Sequence, residues 1–163
     1  MSHASLATYS TTQSTSDQAT PRLDFFNFGP EAIKAMRVAE LRIGQSGLDP
    51  RLIELVRIRV SQLNGCAFCI DRHVSEARRA GETERRLATL SVWRDTPFFS
   101  PQERAALEWA EALTFIAEHH VPNAIWDQVS AAFLPSQLVD LVLLVNTANA
   151  WNRFAIAFRK LPV

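Results

Sequence analysis

Residues 49 to 65 constrain the fold more than any other stretch of this chain. Asp49-Pro50 opens a helix with a capping residue followed by proline at the first helical position, and Asn64-Gly65 closes it. Between them Leu52, Ile53, Leu55, Val56, Ile58, Val60 and Leu63 make the helix apolar around most of its circumference. Such a helix is buried. Glu54 is the exception among its early residues. A carboxylate on a buried helix must find a partner or stay protonated.

The remaining segments read as further helices. Gly29-Pro30 starts one whose apolar face carries Ile33, Met36, Val38, Leu41 and Ile43, and Gly44 to Gly47 ends it. Thr83 to Trp93 places Leu87 and Leu90 inward, and Ser100-Pro-Gln-Glu103 is a capping box for the next helix. A shorter helix runs from Val121-Pro122 to Phe133, and a last one from Pro135 to about Phe158. No segment shows sustained period-two alternation. An all-α fold of about seven helices is predicted, one domain spanning residues 21–163. Residues 1–20, rich in Ser, Thr and Gln, are predicted to be a disordered tail. Leu23 to Phe28 is expected to lie extended across the domain or against a partner subunit.

The chain's two cysteines stand together in Asn64-Gly-Cys66-Ala-Phe-Cys69-Ile-Asp-Arg-His73. At roughly 100° per residue, Cys66, Cys69 and His73 share one stripe of a helix. Gly65 breaks the preceding helix, so both cysteines fall in the first turn of a new one, which runs to Ala80-Gly81. A helix N-terminus and a nearby imidazole both favour thiolate. Cys69 and His73 are i and i+4, neighbours on the helix surface. They have the elements of a nucleophile and its base. Cys66, one turn back, can close a disulfide with Cys69 once the latter is oxidised. Glu54 precedes Cys66 by twelve residues. If the two helices fold back on each other, it can orient His73 or accept its proton.

Other readings of this motif stand beside redox chemistry. The pair can be a structural disulfide, or two inert core thiols with His73 merely satisfied. A zinc site needs a fourth ligand, for which only the distant His119 and His120 suggest themselves. Haem attachment needs histidine directly after Cys69, where Ile70 sits.

Composition narrows the class. Seventeen basic residues balance seventeen acidic ones, so no global field draws in nucleic acid or an anionic membrane. The longest strongly apolar run, Leu138 to Val145, is interrupted by Asp140 and too short to span a bilayer. The N-terminus lacks the basic and apolar regions of a signal peptide, and a cytoplasmic protein is expected.

Glu54, eleven residues, Cys66-x-x-Cys69, three residues and His73 resemble the signature of the alkylhydroperoxidase D-like branch of the carboxymuconolactone decarboxylase superfamily. Glu54 to Cys66, Ala77 to Gly81, Trp93 to Phe99, Glu103 to Thr114 and Asn149 to Arg153 resemble that branch too, and the likeness covers about residues 23–160. The resemblance implies an all-α helical bundle with the CxxC at the N-terminus of a central helix. It implies a homo-oligomer, a trimer or hexamer, that reduces hydroperoxides in an antioxidant role. No cofactor beyond the redox-active disulfide is expected, and an external dithiol would recycle it. By position, Cys69 attacks peroxide, Cys66 resolves the sulfenic acid, and His73 with Glu54 forms the proton relay. Better-known members place a histidine just before the second cysteine; Phe68 stands there in this chain, which shortens the relay. Members that decarboxylate a muconolactone lack the cysteine pair, so this chain departs from that activity. A thiol–disulfide oxidoreductase or redox sensor is the alternative function, and a structural helical oligomer with a CxxC disulfide is the third.

Overall fold

The structure is a computed structural model that describes residues 20–162; most of the predicted N-terminal tail lies outside the described residues. Helix α1 covers Phe25–Phe28, α2 Pro30–Gly44, α3 Pro50–Asn64 and α4 Ala67–Arg79. Then come α5 at Glu84–Thr89, a 3₁₀ turn at Leu90–Asp95, α6 at Pro101–Thr114, α7 at Ile116–His119, α8 at Asn123–Ala132 and α9 at Pro135–Ala157. The all-α expectation holds. The count exceeds seven because α1 and α7 are single turns, and because the predicted 83–93 helix leaves α-helical geometry at Thr89, at φ −102° and ψ 2°, and continues as a 3₁₀ turn that is itself kinked at Val92.

Helix α3 is apolar nearly all round because it serves two cores. Ile53, Val56 and Val60 face one core together with Trp109 of α6 and Leu141, Leu144 and Val145 of α9. Leu55 and Ile58 face the other, with Ala77 of α4, Leu90, Trp93 and Leu107. Asp49 caps the helix by accepting the Arg51 backbone N–H at 2.8 Å. At its far end Gly65 takes φ +69°, a left-handed conformation that glycine adopts without steric cost. The chain there reverses, the Cys66 N–H bonds the Ser61 carbonyl at 2.9 Å, and α4 folds back along α3.

Two expectations need correction. Leu23 to Phe28 is not extended: Asp24 accepts the Phe26 N–H and caps the one-turn helix α1. Phe25 is buried there, its ring 5.5 Å from Phe154 and 5.7 Å from Phe158 at the end of α9. On α2, Ile33 and Ile43 are buried but Val38 and Leu41 are exposed, since α2 packs chiefly against α9 and α1 along a narrower stripe. Among the described residues no single helix is long and apolar enough to cross a membrane.

Candidate active site

Cys66 is the N-cap residue of α4 and Cys69 lies in its first turn. The two are joined as a disulfide, with Cα atoms 5.3 Å apart. Exposures of 2% and 3% leave both nearly buried, packed with Ala155 of α9 and flanked by Phe68. The first-turn N–H groups of a helix lack intrahelical acceptors, and the positive end of its dipole favours an anion there. That is the position where reduction of the disulfide would leave the two cysteine sulfurs.

One turn on from Cys69, His73 points its Nδ1 at Glu54 Oε2, 2.8 Å away across the α3–α4 hairpin. Glu54 is buried, and Arg57 donates to its other oxygen at 2.6 Å. Burial pushes the Glu54 carboxyl up, but the His73 bond and charge together with Arg57 outweigh that and hold it below the ordinary glutamate value. A carboxylate on Nδ1 fixes the ring and leaves Nε2 free for chemistry. All four residues predicted from the sequence, Glu54, Cys66, Cys69 and His73, thus come together. His120, considered as a metal ligand, is exposed beyond α7, and among the described residues no group of three or more His, Cys, Asp or Glu side chains is placed to hold a metal ion.

The network extends further than the sequence reading reached. Arg57 also pairs with Glu40 of α2, and Glu40 accepts the indole N–H of Trp151 of α9 at 3.0 Å. His73, Glu54, Arg57, Glu40 and Trp151 therefore form one continuous chain across four helices. The available signal was Arg57 itself, a cation three residues after Glu54 on a helix that is otherwise mostly apolar. Glu40 and Trp151 gave none, because only tertiary packing joins them.

A second polar cluster braces the turn before Cys66. Asn64 donates to the side-chain oxygens of Asn149 and Asn152, both at 2.9 Å, and Asn152 donates to Ser61 Oγ at 3.0 Å. Asn149 and Asn152 therefore bind the end of α3, whereas Arg153 is exposed. Glu111 of α6 is ion-paired with Arg59 and Arg94. It accepts from Arg59 at 2.7 Å and from the Trp93 indole at 2.8 Å.

Cys69 and His73 open onto a cleft of about 930 Å³ between α2 and α4, floored by Ile53 and Glu54 of α3 and closed by Phe26 and Trp151. Cys66 does not line it. A helical bundle with a buried CxxC at the start of a helix that folds back on the central one, backed by a histidine–glutamate pair, defines the class to which this chain belongs. Residues 29–112 match the model of the carboxymuconolactone decarboxylase family. The chain is a member of that family, in its AhpD-like branch. It is 45% identical over 136 residues to the uncharacterized protein YdfG of Bacillus subtilis, covering 83% of this chain and 92% of that one. It is 36% identical over 121 residues to the uncharacterized protein YnjA of Escherichia coli, covering 74% of this chain and 65% of that one. Among solved structures, a protein of unknown function from Agrobacterium tumefaciens with a provisional AhpD antioxidant-defence designation superposes with a TM-score of 0.85. It is 39% identical and covers 88% of this chain and 99% of that one.

Proposed function

We propose that the protein is a thiol-dependent hydroperoxide reductase. The observation that carries this reading is the joint placement of Cys69 and His73 on the cleft, with the Cys66 sulfur already within bonding distance of Cys69 behind it. In the reduced protein the Cys69 thiolate attacks the distal peroxide oxygen. The O–O bond breaks, the alkoxide leaves as alcohol after taking a proton from His73, and Cys69 becomes a sulfenic acid. Cys66 then attacks the Cys69 sulfur, water leaves, and the disulfide forms. An external dithiol returns both cysteines to thiols, attacking Cys69 from the cleft. Glu54 holds His73 in the tautomer that presents Nε2 and stabilises the imidazolium when it forms.

Burial of both sulfurs supports a small oxidant over a protein disulfide, which needs an exposed sulfur to attack. The provisional antioxidant-defence designation of its Agrobacterium tumefaciens relative points the same way. The exposed apolar residues Phe28 and Val38 favour self-association, which belongs to the same reading. Peroxide consumption by Cys69→Ser is the direct test. Activity equal to the parent would end the proposal. If a low-molecular-weight disulfide oxidises the reduced parent faster than any peroxide, thiol–disulfide exchange is the function instead.

A further inference from the structure

The cleft beside Cys69 is larger and more charged than peroxide reduction alone requires. A water molecule takes up about 30 Å³ of liquid, so hydrogen peroxide would use a small part of about 930 Å³. That volume falls within the roughly 300–1,000 Å³ typical of sites for much larger ligands. Its walls include Phe25, Leu41, Leu48 and Phe68. Such a surface suits a hydrocarbon body.

The charges of the cleft are unevenly satisfied. Every glutamate that lines it is engaged: Glu54 by His73 and Arg57, Glu40 by Arg57 and Trp151, and Glu76 by Arg79 at 2.6 Å. Four arginines line the same cleft against those three glutamates. Arg57 and Arg79 are the paired ones. Arg37 of α2 and Arg72 of α4 have no hydrogen bond or ion pair among the described residues, and both are exposed. They stand on opposite walls, Arg37 on α2 and Arg72 on α4, and Arg72 is three residues after Cys69. Two guanidinium groups without an internal acid, at the rim of an apolar cleft, match a carboxylate on an apolar chain.

We propose that the cleft binds an amphipathic carboxylate, its apolar body on the aromatic and aliphatic walls and its anionic group between Arg37 and Arg72. Resting on the hydroperoxide reading above, this names the substrate class as a carboxylated organic hydroperoxide, such as an oxidised fatty acid, whose O–O bond would lie at Cys69.

A binding measurement on the oxidised protein separates the two readings, because it involves no turnover. Isothermal titration with decanoate and with decan-1-ol compares the same chain with and without the charge. Decanoate is expected to bind roughly tenfold more tightly than decan-1-ol, the size of one charge-assisted hydrogen bond. In the Arg37→Gln/Arg72→Gln double variant that ratio should fall towards one. Both residues are exposed, so the variant should fold normally, which circular dichroism checks. Equal affinity for the two probes, no decanoate binding, or a ratio unchanged in the folded double variant would overturn the proposal. Decanoate binding in a protein that consumes no peroxide would instead retain the amphipathic site and reject the peroxidase reading.

Discussion

Glu54 and His73, nineteen residues apart in sequence, meet at 2.8 Å across the α3–α4 hairpin, and the Glu54 carboxylate is anchored on its far side by Arg57. The pair joins the buried central helix to the helix that carries the cysteines. The proposed proton relay and the hairpin's geometry therefore depend on the same contact.

Replacing Glu54 with Gln removes the charge that orients His73 and stabilises its protonated form. The second-order rate constant for peroxide reduction should fall by about a hundredfold, the low end of the contribution of positioned acid–base groups. Stopped-flow measurement on the prereduced protein reads this directly. The Glu40→Gln variant tests the outer part of the same chain, and a smaller loss is expected because it touches His73 only through Arg57 and Glu54.

Stability should depend on pH through Glu54. Its carboxyl is held below its ordinary value in the folded protein, so this contribution is fully present above the unfolded glutamate pKa of about 4.3. It is lost as pH falls through the lower folded value. Urea midpoints of the parent should drop over that acid window. The difference between parent and Glu54→Gln should narrow over the same window.

The Asn152→Ala variant tests the brace behind Cys66. Asn152 is 1% exposed and bonds both Asn64 and Ser61. Truncation leaves buried polar groups unpaired at a cost of about 1–3 kcal/mol. For a chain of this size that is a fall in Tm of about 2–4 °C per kcal/mol, measurable by calorimetry.

At Gly65 an added Cβ meets nothing within 4 Å, but φ is +69°. The Gly65→Ala variant should therefore lose about 1 kcal/mol through backbone strain alone. Denaturant unfolding of the parent and the variant measures the difference. An unchanged midpoint would mean that the turn relaxes without cost.

The parts of this molecule legible in the sequence are those set by local chemistry. Asp49-Pro50, Asn64-Gly65 and the Ser100–Glu103 capping box mark helix ends through bonds made within a few residues, and all three stand where expected. The stripe of Cys66, Cys69 and His73 follows from helical spacing alone. Glu54 was within reach because a lone carboxylate on a buried helix demands a partner. Glu40 and Trp151 were not, since their place in the network depends on how α2 and α9 cross α3. The break after Thr89 was hidden by the apolar spacing of Leu87 and Leu90, which suits a continuous helix equally well. Leu23 to Phe28 misled for a related reason: its aromatic residues mark burial but not conformation, and the Asp24 cap decides the latter.

Reaction of the fully reduced protein with one equivalent of hydroperoxide, followed by mass spectrometry of each cysteine, tests the central claim most directly. The expected result is loss of both thiols per peroxide as a Cys66–Cys69 disulfide in the parent, and a trapped sulfenic acid on Cys69 in the Cys66→Ser variant. A Cys69 thiol that remains free to alkylate after excess peroxide would contradict the account.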